Sequence, residues 1–235
     1  MFFLLCFGAS AQELADFEWE EWNFYNGIAI THYAGTAKDV TIPAEINGMP
    51  VTAIGEDAFY GKQLTGVTLP DSITYIGMQA FSRNMLTCIA IPPGVTSIET
   101  DAFMGNNLES VIIGDSITQI STRAFYSNDI TSITIGSSVD IIREGAFMGN
   151  RLTCIVIPPN VKKIVSYAFV DNPITSITIG EGVSFVPELG QELYGILEDY
   201  GHSFEQTYMD NGKRAGTYTR PDPESTVWSF LPPEN

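Results

Sequence analysis

Apolar residues in the middle of the chain recur on a fixed 22-residue spacing. An Ala-Phe pair stands at 58–59, 80–81, 102–103, 124–125, 146–147 and 168–169. The surrounding apolar set moves with it. Leu64, Val67, Leu69, Ile73 and Ile76 become Leu86, Ile89, Ile91, Val95 and Ile98, and four further copies end at Ile174, Ile177, Ile179, Val183 and Val186. Asn follows three residues after Phe as Asn84, Asn106, Asn128, Asn150 and Asn172, with Lys62 in its place in the first copy. The alternation I-x-I predicts a short strand with one face inward. A Pro or Gly after it ends the strand, as at Pro70, Pro92, Gly114, Gly136, Pro158 and Gly180. V-x-x-I then turns a corner, and Ala-Phe sits in a tight 3₁₀ or single helical turn. A unit of this size cannot bury its own apolar face, so successive units must stack as the coils of a solenoid. The prediction is an α/β repeat, with a parallel β-sheet on one side and short 3₁₀ or helical turns on the other. Phe side chains then form one column, and the Asn amides bond backbone groups of adjacent coils, because a buried amide left without partners costs about 1–3 kcal/mol.

The pattern breaks at both ends, which is where caps belong. Ala37–Ile42 reads as a first, atypical strand, followed by five extra residues, Ile46 to Pro50, before Val51 and Ile54 resume the register. Upstream, Phe24 to Ile30 reads as a hairpin around Asn26-Gly27, a pair suited to a type I′ turn. At the other end the register is expected to hold to Val186. Leu189, Leu193, Ile196, Leu197 and Tyr200 then suggest a helix beginning after Pro187 and ending at Gly201. A second hairpin is expected, joining Phe204–Met209 to Arg214–Thr219 through Asn211-Gly212. The layout is thus 1–11 a signal segment, 12–36 an N-terminal cap, 37–186 the solenoid, 187–220 a C-terminal cap of helix plus hairpin, and 221–235 a proline-rich tail. The signal segment rests on the apolar run Phe2 to Phe7 followed by Ala9-Ser10-Ala11. It has no basic residue before it, the first in the chain being Lys38, and cleavage after Ala11 would leave Gln12 first.

The repeat A-F-x-x-N-x-L-x-x-I-x-I-P-x-x-V-x-x-I resembles the BspA-like leucine-rich repeat family of bacterial surface proteins, in the shorter form found in spirochaetes, with Asn where many relatives carry Cys. The resemblance covers roughly 37–186 and implies a leucine-rich-repeat solenoid. It also implies adhesion to host proteins, coaggregation and display at the cell surface, and the expected location is outside the cytoplasm, in the periplasm or on the outer cell surface.

Charge narrows the partner classes. Eleven basic residues against 28 acidic ones give a net charge of −17, which denies nucleic acid the basic face it needs and disfavours anionic lipid. The imbalance lies at the ends. Residues 12–21 hold five acids and no base, and 181–235 hold ten acids against three bases, whereas 60–180 hold nine against seven. No run approaches the 18 or more apolar residues of a transmembrane helix.

The sequence offers no catalytic, metal or cofactor motif. His32 and His202 fall in opposite caps, separated by a stack about 30 Å long at strand spacing. Cys88 and Cys154 share a repeat position three coils apart, about 14 Å by strand spacing, too far for a disulfide, which spans about 4.4–6.8 Å. The informative surface is the outward face of the strands, where only Glu109 is charged. Thr87, Cys88, Ala90, Ser110, Ile112, Thr134, Cys154 and Val156 are its candidate binding residues. Two readings stand. Thr and Ser suit exposed strands on structural grounds alone, or the face docks a protein or glycan. Capture of a small apolar ligand and a periplasmic assembly role are the alternatives to adhesion.

Overall fold

The computed structural model describes residues 14–22, 27–187, 195–197 and 203–233. The coils stack as the period requires, and all but one carry two short strands instead of one, the exception being the coil around Ile89 and Ile91, which forms only the second. The I-x-I segments form the first ladder. Asp39–Thr41 pairs in parallel with Gly66–Thr68, Ser110–Ile112 with Ser132–Thr134, and Cys154–Val156 with Ser176–Ile179. The V-x-x-I segments, expected only to turn a corner, form a second parallel ladder. It runs from Met49–Ile54 through Tyr75–Ile76 to Ser97–Ile98, and again from Gln119–Ile120 through Ile141–Ile142 and Lys163–Val165 to Ser184–Val186. Two bends per coil let both segments present backbone groups to the next coil, so the ladders run along two sides of the stack.

The third side holds the Ala-Phe turns. Ala80 N bonds Gly77 O and Ser82 N bonds Gln79 O, an i to i−3 pattern, while Phe81 N bonds Ala102 O of the next coil. The turn cannot lengthen into a helix because two residues per coil are left-handed. The residue before Ala (Asp57, Gln79, Asp101, Arg123, Gly145, Tyr167) has φ of 52–64°, and the residue before the Asn position (Gly61, Arg83, Gly105, Ser127, Gly149, Asp171) has φ of 56–69°. For a non-glycine residue this conformation costs about 1–2 kcal/mol. The burial and hydrogen bonds it permits offset that cost.

Inside, the phenyl rings stack in one column. Phe59, Phe81, Phe103, Phe125, Phe147 and Phe169 have centroids 5.1–5.6 Å apart and near-parallel planes, and all are fully buried. Beside them runs the amide ladder. Asn128 Oδ1 accepts from Leu108 N at 3.1 Å, and its Nδ2 donates to Phe103 O at 3.0 Å and Phe125 O at 3.1 Å. The other four asparagines repeat this triad. Each amide therefore joins two coils.

A hairpin forms at the N-terminal end but not around Asn26-Gly27 as expected: Phe17–Trp22 runs antiparallel to Gly27–Tyr33, with Gly27 already in the strand opposite Trp22, and Gly27–Tyr33 pairs in parallel with Met49–Ile54. Its turn lies outside the described residues. Tyr33 stacks on Phe59 at 5.4 Å and Phe17 packs on both rings, so an aromatic outside the 22-residue period tops the column.

The C-terminal end departs from expectation in three places. The last register ends a residue early. Ile164 pairs with Phe185, so Phe185, not Val186, points inward. The segment expected as a hairpin strand over Phe204–Met209 is a helix, Ser203–Asp210. Phe204 and Tyr208, one turn apart, both pack on Phe185, at 5.9 and 5.6 Å. Asn211-Gly212 closes this helix rather than a hairpin, with Asn211 N on Thr207 O, Gly212 N on Met209 O and Lys213 N on Tyr208 O. The expected tail is also structured. Gly216–Thr219 pairs antiparallel with Ser176–Ile179, and Ser229–Leu231 pairs antiparallel with Gly216–Thr219. Trp228 is buried against Phe204 at 5.3 Å, and the Arg220 guanidinium lies over its ring at 4.9 Å while Nε donates to Ile174 O. The helix predicted between Pro187 and Gly201 lies mostly outside the described residues. Of its positions, Ile196 and Leu197 are buried, and Ile196 O accepts from Phe169 N.

Candidate functional site

Strand pleat places the candidate residues. In Ser110–Ile112 and Cys154–Val156 the central Val111 and Ile155 are buried, so the flanking side chains must point to solvent. Ile112 is 69% exposed and Val156 62%. Thr134 lies opposite Ile112 in the ladder, and Val156 lies opposite Thr178. The structure therefore brings Ser110, Ile112, Thr134, Cys154 and Val156 onto one outward face.

Thr87, Cys88 and Ala90 join this face less regularly. Their coil makes no ladder strand there, and Ile89 and Ile91 beneath are only partly buried. Cys88 is half-buried, whereas Cys154 is free and exposed, so these two cysteines do not bridge each other.

Hydrogen bonds separate structural threonines from available ones. In the row nearest the Asn ladder, Thr65 Oγ1 donates to Lys38 O, Thr131 Oγ1 to Glu109 O and Thr175 Oγ1 to Thr153 O, each at 3.2–3.3 Å. These three hydroxyls stitch coil to coil, so for Thr65, Thr131 and Thr175 the structural reading holds.

The C-terminal cap extends the other two rows. Ser176 lies opposite Thr219 and Thr178 opposite Thr217, with the latter two hydroxyls 2.9 Å apart. Thr219 lies opposite Ser229, and Thr217 opposite Leu231, which is 54% exposed. From Ser110 to Leu231 six strands present this face in two ladders, one of Ser110–Ile112 and Ser132–Thr134 and one from Cys154–Val156 to Ser229–Leu231, which touch between Ser132–Thr134 and Cys154–Val156 without ladder pairing. One row is Ser, Ser, Cys, Ser, Thr, Ser and the other Ile, Thr, Val, Thr, Thr, Leu. All twelve are uncharged and none is aromatic. The alternation Thr217-Tyr218-Thr219, with Tyr218 buried, was the available sequence signal for this extension. The order of pairing was not.

Charge lies around the platform. Glu109 is exposed beside it, and Asp115 and Glu181 follow the ends of their strands. Asp115 accepts from Ser137 N at 2.6 Å and Ser137 Oγ at 2.9 Å, which holds its carboxyl below the usual range. On the turn side, Arg123 makes a paired contact with Asp101 at 2.9 and 2.8 Å, which raises the guanidinium pKa further. Elsewhere, Glu18, Glu20 and Glu21 are exposed on the N-terminal hairpin.

His32 Nε2 lies 3.2 Å from Lys62 Nζ, and His202 is outside the described residues. Among the described residues no three His, Cys, Asp or Glu side chains are placed to hold a metal ion, and no helix is long and apolar enough to cross a membrane.

The profile of the BspA type leucine rich repeat region matches this chain in six copies, over residues 33–150 and 85–189. Among solved structures, a leucine-rich repeat protein of T. pallidum is 22% identical over 86% of this chain and 96% of its own, with a TM-score of 0.58. A leucine-rich cell surface protein of Faecalibacterium prausnitzii is 25% identical, TM-score 0.52, over 77% of this chain and 55% of its own. The pneumococcal vaccine antigen PcpA is 25% identical, TM-score 0.54, over 66% of this chain and 43% of its own, so this chain spans about half the length of the last two. No curated protein sequence matches.

Proposed function

The chain belongs to the BspA-type leucine-rich repeat family, and on that premise we propose that it is an exported, non-catalytic scaffold that binds protein components of a host or bacterial surface through its outward sheet face. The observation that carries this reading is the uncharged, partly apolar platform on a chain whose net charge is −17. An exposed apolar group on a rigid sheet, rimmed by polar residues, suits a docking surface. Protein is favoured over glycan because the platform holds no aromatic ring on which a sugar could stack.

The test has two arms. Immobilised chain is assayed against a panel of purified host extracellular-matrix proteins and bacterial surface proteins, and the Ile112→Glu/Val156→Glu variant is run beside it. Saturable binding that the double variant loses, with an unchanged melting curve, supports the reading. Absence of binding across the panel, or equal binding by the variant, counts against the sheet face. Protease treatment of intact cells decides the compartment. A displayed protein is cut, and a periplasmic one survives until the outer membrane is opened.

A further inference from the structure

On the outer face of the second ladder, at its N-terminal end, two alanines are buried by something other than the core. Ala29 and Ala53 have no exposed surface, yet neither belongs to the core cluster that takes in Ile28, Ile30, Val51 and Ile54 beside them. Strand pleat sends them outward. They stand in one cross-strand row that reads Glu20, Ala29, Ala53, Tyr75, Ser97. Trp22 lies on the same face, two residues along from Glu20 and opposite Gly27. The strands of Trp22 and Tyr75 are three spacings apart, about 14 Å, but the two ring centroids are only 5.2 Å apart. The rings can meet because Gly27, Ala29 and Ala53 between them are small. They roof the alanines, and both stay partly exposed.

Stability alone does not select this roof. Thr52 Oγ1 is buried and has no hydrogen-bond partner among the described residues, which costs stability. It lies 2.6 Å from where a Cβ on Gly27 would stand, on the side that Trp22 covers.

The chemistry around the rings selects a cation. Indole and phenol faces attract positive charge. Glu18 and Glu20 are exposed on the same strand, and residues 12–21 hold five acids and no base. A neutral sugar gains nothing from that field. Guanidinium is favoured over ammonium, because it is flat enough to stack on an indole and its fork matches a carboxylate.

We propose that Trp22, Tyr75 and Glu20 seat an arginine side chain of a basic protein partner, with the guanidinium stacked on the rings and forked to the Glu20 carboxylate. The site lies on the second ladder, apart from the platform of Ser110 to Leu231, and it takes the large anchoring side chain for which that platform has no partner residue.

Nuclear magnetic resonance of the full chain, with its three indole N–H signals assigned, tests this against N-acetylarginine amide at millimolar concentration. The expected result is a saturable shift of the Trp22 signal that exceeds those of Trp19 and Trp228. N-acetylcitrulline amide, which has the shape without the charge, should leave the signal in place. Glu20→Gln should weaken binding at least about 3-fold. Tyr75→Leu should do so by about 3-fold, and it keeps the proposal testable if the hairpin variant fails to fold. Glu224→Gln makes the same charge change at an exposed site at the other end of the chain and should bind like the parent. Absence of a saturable shift overturns the proposal, and so does an equal response to the citrulline compound. Equal weakening by Glu224→Gln also overturns it, because general attraction to an acidic chain then explains the binding. A methyl glycoside or tetramethylammonium that shifts Trp22 at lower concentration than the arginine compound reassigns the site and overturns it as well. Failure here leaves the platform untouched, since its test reads Ile112 and Val156. A chain that binds the arginine compound and captures no panel protein keeps this site and loses the platform.

Discussion

Replacing Asn128 by Ala is the most direct probe of what holds one coil to the next. The side chain is buried and forms a three-way junction between the third and fourth Ala-Phe coils. Its removal strands the amide of Leu108, whereas the carbonyls of Phe103 and Phe125 each lose one donor and keep another, Asn106 Nδ2 and Asn150 Nδ2. A methyl group cannot replace these bonds, and the packed aromatic column beside them leaves little scope for rearrangement. A stranded buried N–H costs about 1–3 kcal/mol, and the two carbonyls stay satisfied, so the expected loss is about 2–3 kcal/mol. That is an appreciable part of the about 5–15 kcal/mol by which domains are stable. In a stack where each coil contacts only its neighbours, the damage concentrates at one seam, and unfolding should split into two steps there. Urea unfolding followed by far-ultraviolet circular dichroism measures the loss, and hydrogen exchange locates it at Leu108 N–H. Asn107→Ala is the matched control. Asn107 is exposed and reaches only Asp129, at 3.3 Å, so it should change stability by no more than about 0.5 kcal/mol. A loss below about 1 kcal/mol in Asn128→Ala, or undiminished protection at Leu108, would refute the idea that the amide ladder joins the coils.

Other substitutions separate the remaining forces. Phe125→Ala, at a fully buried mid-column ring, should cost about 3–5 kcal/mol in the same urea experiment, and Phe125→Leu clearly less, because most of the volume is retained. Gly61→Ala should cost about 1–2 kcal/mol although nothing lies within 4 Å of the added methyl, because its φ is +64°. Gly114→Ala, equally open and without a positive φ, should be neutral or stabilise by up to about 1 kcal/mol, and equal effects at the two sites would contradict the left-handed turn. Burial pushes the Tyr218 phenol up to about 12. The unfolded chain gives up that proton near the ordinary value of 10.0, so the stabilisation is complete below that pH and is lost as pH rises towards about 12. Absorbance titration at 295 nm should show Tyr218 ionising late, together with loss of near-ultraviolet dichroism from the cap. Tyr218→Phe should remove that late step, and ionisation of every tyrosine near its ordinary value would exclude a buried phenol.

What could be read directly from the residues is what repeats. A 22-residue period in Ala-Phe, Asn and the apolar set is a local signal copied six times, and stacking follows because no copy can bury its own face. The ring column, the amide ladder and the outward set from Ser110 to Val156 all come from that register. The single-coil period also suggests one strand per coil, whereas the second bend lets V-x-x-I form a second ladder. That choice depends on backbone hydrogen bonds to the neighbouring coil, which the sequence of one coil does not record.

The ends were decided by tertiary contacts. Tyr33 heads the aromatic column although the insertion at Ile46–Pro50 removes it from the period, because only space above Phe59 selects it. Phe204, Gln206 and Tyr208 alternate as a strand would, while Phe204 and Tyr208 also lie one helical turn apart. Burial of both rings on Phe185 chose the helix. The last platform strands are set by pairing across residues far apart in the chain, Thr178 with Thr217 and Thr217 with Leu231. Repeated local patterns fix what each coil buries, but the surface it finally presents, and how far that surface extends, depends on which distant segment closes the open edge of the sheet.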